Sequence, residues 1–259
     1  MPSLLIKFTI ATFLGVSMAT SPTTFLDEQL KFERVSAAYQ EKEKTLRNSL
    51  AAQNIAIDKL NLLIVAIKDS DELDVYGKNA GDKSFKKLLS YRICARSGKL
   101  GPKTKKGDNQ VPEGFYYIDR FNPTSNFHLS LGINYPNAAD RRRNSDVPDL
   151  GGDIFIHGSC ETIGCLPMTD NIIKEIYVLA AHARSNGQEK IPVYIFPFRM
   201  TAANLKSYKI QFDGGRDKSN QKLIAFWDNL SHGYDQFMQN KQALSFQVKE
   251  DGSYELTPL

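Results

Sequence analysis

The strongest constraint on the fold is a series of short apolar runs separated by two long loops. Residues 61–67 form an apolar, partly β-branched run. Asp69-Ser70-Asp71 then predicts a turn into Leu73, Asp74, Val75 and Tyr76, so the two segments read as a hairpin. Further strands are predicted over residues 89–95, 114–118, 127–133, 154–156 and 191–196. Over 127–133, His128, Ser130 and Gly132 alternate with Leu129, Leu131 and Ile133, which is the period of a half-buried strand. Residues 98–113 and 134–152 are rich in Gly, Pro and Asp, which supply unusual backbone angles or satisfy polar groups locally, and so predict loops. Short strands joined by long loops can carry a site at one rim of a sheet.

Helices are predicted at both ends, so the expected fold class is α+β: a β-rich core with helical N-terminal and C-terminal additions. Residues 25–56 are amphipathic, with Leu26, Leu30, Val35, Ala38, Leu46 and Leu50 separated by charges. Thr169 is placed to cap a helix from Asp170 through Ala183, whose Ile172, Ile173, Ile176, Tyr177 and Leu179 give a broad apolar face. A further helix is expected over 219–240 and a closing hairpin over 243–256.

At the N-terminus, a short lead containing Lys7, an apolar stretch over 8–16 and the small pair Ser17 and Ala19 form a secretory signal pattern. An uncleaved anchor and a buried helix are the competing readings. The expected division is a signal peptide over 1–19, a helical arm over 20–57, a catalytic domain over 58–198 and a helix-and-strand extension over 199–259. Export places the mature chain in the periplasm or another extracytoplasmic part of the envelope.

Three cysteines cannot all pair within one chain. If Cys165 is kept free for chemistry, Cys94 and Cys160 are the natural structural pair. Three free thiols, or a Cys160–Cys165 redox pair, are the alternatives. The formal charge is +4, with 33 basic and 29 acidic residues interspersed. The densest basic run, Arg141-Arg142-Arg143, lies beside Asp140, and no nucleic-acid-binding signature accompanies it, so no nucleic-acid partner is expected.

The segment His157-Gly158-Ser159-Cys160-Glu161-Thr162-Ile163-Gly164-Cys165 supplies the parts of a thiol acyl-transfer site. Such a site needs a thiolate, a base to make it and donors for oxyanion charge. His157 lies eight residues before Cys165, near enough for the loop to bring them together. Gly158 can orient the imidazole through its carbonyl, and Gly164 removes side-chain bulk beside the nucleophile. Taken singly, each residue also has a plain reading: a buried cysteine, a rim histidine and two turn glycines. Cys160, Cys165 and His157 lack an obvious fourth ligand, so no metal is expected.

The order Ile154-Phe155-Ile156-His157-Gly158, five residues, then Gly164-Cys165-Leu166 resembles the signature of the L,D-transpeptidase catalytic domain, or YkuD domain. The stretches Gly107-Asp108-Asn109-Gln110-Val111-Pro112-Glu113-Gly114-Phe115-Tyr116 and Phe127-His128-Leu129-Ser130-Leu131-Gly132-Ile133-Asn134-Tyr135-Pro136-Asn137 look like the murein-processing YafK-like branch, as does Pro167-Met168-Thr169-Asp170. The resemblance covers roughly residues 58–198 and implies a β-rich L,D-transpeptidase-like core, no cofactor, and peptidoglycan stem peptides containing diaminopimelate as substrates. It assigns Cys165 as the acyl-accepting thiolate, His157 as general base, Gly158 as the carbonyl that steadies it, and the amides at Gly164 and Cys165 as oxyanion donors.

A common form of the motif is Ser-His-Gly-Cys-Ile/Val-Arg, against Thr162-Ile163-Gly164-Cys165-Leu166-Pro167 in this chain. Thr162 keeps a hydroxyl, while Pro167 cannot act as a carboxylate clamp. Substrate-binding candidates are Thr162, then Tyr116 and Tyr135 along a groove or packed as aromatic strand residues, His128 facing the site or exposed on its strand, and Arg120 or Arg141 for a carboxylate or as solvated loop charges. The expected function is acyl transfer or cleavage through a Cys165 acyl-enzyme. The alternatives are an amidase or endopeptidase releasing a wall-attached envelope protein, and an inactive peptidoglycan-binding protein. A redox protein is a further competitor, although Cys160 and Cys165 lack the compact Cys-x-x-Cys spacing.

Overall fold

A computed structural model of the chain describes residues 23–212 and 218–257. The expected signal segment over 1–19 lies outside the described residues. An eight-stranded sheet forms the body, in the order β3-β2-β1-β8-β4-β5-β6-β7. Its members are β1 (Leu60–Ile67), β2 (Glu72–Asn79), β3 (Lys86–Arg92), β4 (Gly114–Asn122), β5 (Ser130–Ile133), β6 (Phe155–His157), β7 (Leu166–Pro167) and β8 (Ile191–Phe196). The sheet is mixed: β1 runs parallel to β8, and β6 parallel to β7, while the other neighbours are antiparallel.

Strand β1 is apolar along almost its whole length because both of its faces are covered. Leu62, Ile64 and Ala66 enter one core cluster, and Leu63, Val65 and Ile67 enter the other. A two-residue period thus feeds two cores from one strand. On the first face lies α4 (Asp170–Ser185), capped by the Thr169 hydroxyl, which accepts from the Ile172 amide. Helices α1 (Phe25–Leu30) and α2 (Glu33–Ala51) pack outside it, and the Tyr177 hydroxyl donates to Gln29 at 2.6 Å. The predicted continuous helix over 25–56 is broken at Phe32, whose extended backbone serves as the N-cap of α2.

On the second face lies the C-terminal segment. Helix α5 (Ala202–Phe212) was not expected from the sequence, and α6 (Lys218–Asn240) matches the helix predicted over 219–240. From α6, Trp227, Leu230 and Phe237 are fully buried against Phe196 and Phe198. The closing hairpin is β9 (Phe246–Val248) with β10 (Tyr254–Leu256). The segment after residue 198 therefore covers one face of the sheet and completes its core.

Within the predicted loop over 134–152 is a short helix, α3 (Ala138–Arg143). Asn137 accepts from the amides of Ala139 and Asp140, and the Asp140 carboxylate accepts from the Asn137 amide, a reciprocal cap that stabilises even a short helix. The alternation read over 127–133 is realised only from Ser130 onward. Both Ser130 and Gly132 are buried, because β5 lies inside the sheet between β4 and β6.

Candidate active site

The last two strands bring the conspicuous sequence residues together. In the parallel pair β6 and β7, Ile156 is opposite Leu166 and His157 opposite Pro167. Side chains alternate along each strand, so Phe155 and His157 share a face with Cys165, which immediately precedes β7. The Phe155 amide donates to Cys165 Sγ at 3.4 Å, and the thiol donates to the Asp153 carbonyl at 3.6 Å. Among the described hydrogen bonds, none joins Cys165 directly to His157.

His157 is buried. Its Nδ1 lies 2.5 Å from the Gly158 carbonyl oxygen, and its ring packs on Phe127 with centroids 4.7 Å apart. A carbonyl only accepts, so Nδ1 carries the proton and the neutral ring keeps its lone pair on Nε2. Burial lowers the pKa of His157, and the Gly158 carbonyl opposes this in part. Burial raises that of the Cys165 thiol; the Phe155 amide opposes the rise, Asp153 adds to it and Lys103 opposes it. Both effects favour a neutral thiol beside a neutral imidazole rather than a preformed ion pair.

The turn before Cys165 is held from within. Thr162 Oγ1 accepts from the Gly164 amide at 3.2 Å and the Cys165 amide at 2.8 Å, and donates to the Cys165 carbonyl at 2.9 Å. The Thr162 hydroxyl, expected to meet substrate, is spent inside the turn, and the two amides expected to receive an oxyanion point at it. Gly164 has φ +140°, where any side chain is strained, and a Cβ there would press on the Gln110 carbonyl oxygen at 3.1 Å. At Gly158, a Cβ would lie 2.6 Å from Asp170 Oδ1. That carboxylate oxygen accepts from the Ser159 amide at 2.9 Å and ties the loop to the start of α4.

Cys94 and Cys160 are joined in a disulfide, the pairing the sequence favoured, which leaves Cys165 as the free thiol. The bond pins the loop between His157 and Cys165 to the chain leaving β3. The Cys94 amide also donates to the Pro167 carbonyl at 3.0 Å.

Two clefts reach Cys165. One, of about 360 Å³, is bordered by Lys68, Asp71, Arg96, Leu100 and Tyr208. The other, of about 530 Å³, is bordered by Lys103, Lys106, Asp153, Ile154 and Ile163. Ile163, at the motif position that holds histidine in the common form, is 80% exposed. Among the described residues, no group of three or more His, Cys, Asp or Glu is placed to hold a metal ion, and no helix is long and apolar enough to cross a membrane.

The remaining candidates are scattered. The Tyr116 hydroxyl lies 3.1 Å from both the Glu113 carbonyl and the Asp140 carboxylate, in the core beside α3. The Tyr135 hydroxyl lies 3.2 Å from the Leu150 carbonyl, also buried. Neither tyrosine borders the two clefts, because the aromatic strand residues are used in packing. Arg120 is bonded at 2.9 Å to Asp153, which borders the second cleft, and lies over the Phe155 ring at 4.9 Å. Arg141 is exposed on α3, away from both clefts. His128 is close behind Gly158, where a Cβ would meet its own Cβ at 2.9 Å, and its Nε2 is buried without a partner.

The sequence reading missed Lys68, Lys103 and Tyr208. Tyr208 comes from α5, donates to Asp69 at 2.9 Å and stacks on Phe198 with centroids 4.0 Å apart. Lys68 donates to the Gly101 and Val111 carbonyls and to the fully buried Glu113, which also accepts from Trp227 Nε1 at 2.9 Å. The position of Lys68 directly after the β1 run was the available signal for a cation at a strand end.

Comparison with known proteins gives the family. The family model described as "YkuD: L,D-transpeptidase catalytic domain" matches residues 62–195. The chain is 39% identical over 181 residues to "Putative L,D-transpeptidase YafK" of Escherichia coli strain K12, covering 69% of this chain and 67% of that protein, and matches the O157:H7 counterpart equally. Among solved structures, it is similar to the helical cell shape determining protein Pgp2 from Campylobacter jejuni, with TM-score 0.43 and 19% identity over 73% of this chain and 74% of that one. Bd1075 of Bdellovibrio bacteriovorus gives TM-score 0.39 and 18% identity, covering 73% of this chain and 75% of that one. With a family match over more than half its length and this level of identity to YafK, the chain belongs to the family of L,D-transpeptidase catalytic domains.

Proposed function

We propose that this protein catalyses cysteine-dependent acyl chemistry on diaminopimelate-containing peptidoglycan stem peptides, through a thioester on Cys165. The observation that carries the reading is that the free thiol is reached by two clefts, on the same sheet face as a buried histidine. Two approaches suit a reaction in which one peptide gives an acyl group and a second molecule receives it.

In the free chain, the thiol proton rests against the Asp153 carbonyl. On substrate binding, the thiol turns toward His157, whose Nε2 takes the proton, and catalytic hydrogen bonds of this kind often tighten only in the complex. The sulfur attacks the carbonyl carbon, the C–N bond breaks, and His157 returns the proton to the departing amine. An incoming amine then displaces the sulfur and gives transpeptidation, whereas water gives the free acid.

The second outcome makes the enzyme an amidase or endopeptidase able to release a wall-attached envelope protein. It is favoured by Pro167, which carries no cation at a position where the common motif has arginine. A catalytically inactive peptidoglycan-binding protein would use the same clefts without turnover. The Cys94–Cys160 disulfide supports action in an oxidising extracytoplasmic compartment, the periplasm or envelope.

Incubation with defined muropeptides, with and without an acceptor amine, tests this reading by product mass. Exchanged products that require the amine support transfer, and hydrolysed products in its absence support cleavage. Unchanged muropeptides with retained binding would leave the binding-protein reading in its place.

A further inference from the structure

The Gly164 and Cys165 amides are engaged by the Thr162 hydroxyl, and among the described residues the Phe155 amide is the one N–H bonded to Cys165 Sγ, so negative charge forming at the sulfur has a single hydrogen bond to stabilise it. A desolvated thiol resists ionisation, and a nearby cation is the simplest counterweight. Cations face Cys165 from both clefts. Lys99 and Arg96 are exposed to water, and Arg96 is bonded to Asp71. Lys68 is buried but committed, with three acceptors for its three N–H groups: Gly101, Val111 and Glu113.

Lys103 differs from all of these. It is 5% exposed and borders the same cleft as Cys165. Its ammonium donates to Asp108 at 2.6 Å and to the Lys105 carbonyl at 2.9 Å, two acceptors for three donors. The negative charge of Asp108 is itself shared, because its carboxylate also accepts from the amides of Thr104, Lys105 and Gln110. The other charged groups of this cleft are paired at the surface, Lys106 with Asp149 and Asp153 with Arg120. His157, the remaining titratable neighbour on that sheet face, has its Nδ1 against the Gly158 carbonyl.

We infer that Lys103 is a positioning residue of the site, a fixed, sequestered cation whose field across the cleft favours the Cys165 thiolate over the thiol. Asp108 holds the ammonium in place and moderates that field. The consequence for catalysis rests on the acyl-enzyme reading, but the field itself can be measured on the free thiol without any muropeptide. Failure of one is therefore distinguishable from failure of the other.

The test is the pH dependence of Cys165 alkylation by iodoacetamide, read by intact mass, in the disulfide-intact full chain. Lys103→Met is expected to move the alkylation midpoint up by about half a pH unit, less than the 1–3 units of a charge in direct contact. Lys103→Arg is expected to restore it. Asp108→Asn, which leaves the ammonium uncompensated, is expected to move the midpoint down. A structural role alone would move both disruptive variants the same way. A common direction for the two, or no shift in Lys103→Met, overturns the inference. Should Lys103→Met not fold, Lys103→Gln, which keeps a donor for Asp108 but carries no charge, takes its place, and an unshifted midpoint is the contrary result.

Discussion

The hydroxyl of Thr162 takes the amide proton of Cys165 at 2.8 Å and gives its own proton to the carbonyl of the same residue at 2.9 Å. One side chain thereby fixes both peptide groups flanking the free thiol. Thr162→Ala removes these bonds and leaves partly buried amides without a partner, a loss of about 1–3 kcal/mol in local stability. Expected is a fall in acylation rate of roughly tenfold or more, with Thr162→Ser recovering most of it. Single-turnover acylation of the three proteins compares them directly.

The pH profile follows from the two perturbed groups. Burial lowers the His157 pKa below the usual histidine range of about 6.5 and raises the thiol, so the reactive neutral pair persists across neutrality. Acylation kcat/KM is expected to stay flat through neutral pH and to fall on the acid side only below about 6.5, as the imidazole protonates. An acid limb centred above that value would show that the histidine is not held neutral.

The Cys94–Cys160 bond closes a long loop and anchors the segment between His157 and Cys165. Reduction, or the Cys94→Ser/Cys160→Ser double variant, is expected to cost about 2–4 kcal/mol of stability. It should slow acylation as well, because the loop loses its tie to β3. Thermal unfolding with and without reductant measures the first effect, and the double variant should show no response to reductant.

Glu113 joins Lys68, the Gly101 amide and Trp227 in one buried cluster between the cleft loop and α6. Glu113→Gln leaves Lys68 as a buried cation without its counter-charge, which is expected to destabilise the protein by about 3–5 kcal/mol. Replacing both partners, Lys68→Met with Glu113→Gln, should recover part of that loss. Denaturant unfolding of the single and double variants gives the coupling.

The β-rich core and the helix after Cys165 were legible because their periods are local: the apolar run of β1, the Thr169 cap and the apolar face of α4 each announce themselves within a few residues. The Cys94–Cys160 bond was legible by elimination once Cys165 was set aside. What local pattern could not supply was the use of each side chain by distant partners. Tyr116 and Tyr135 were open to a groove or to packing, and their partners Glu113, Asp140 and Leu150 in the interior decide for packing. The Thr162 hydroxyl looked free for substrate, yet it is closed into its own turn. Lys103 lies within the predicted loop over 98–113, and only the fold buries it at the cleft that Cys165 also borders. The helix at 138–143 was hidden by the surrounding loop composition, although its Asn137 and Asp140 cap was present in the sequence.

In the proposed mechanism a stem peptide leaves its acyl group on Cys165. Intact-protein mass measured after mixing with diaminopimelate-containing muropeptides tests it most directly. The expected result is an adduct of the donor acyl mass that disappears in Cys165→Ser and decays when water or an acceptor amine takes the acyl group. Product formation unchanged in Cys165→Ser, with no adduct on the wild-type chain, would contradict it.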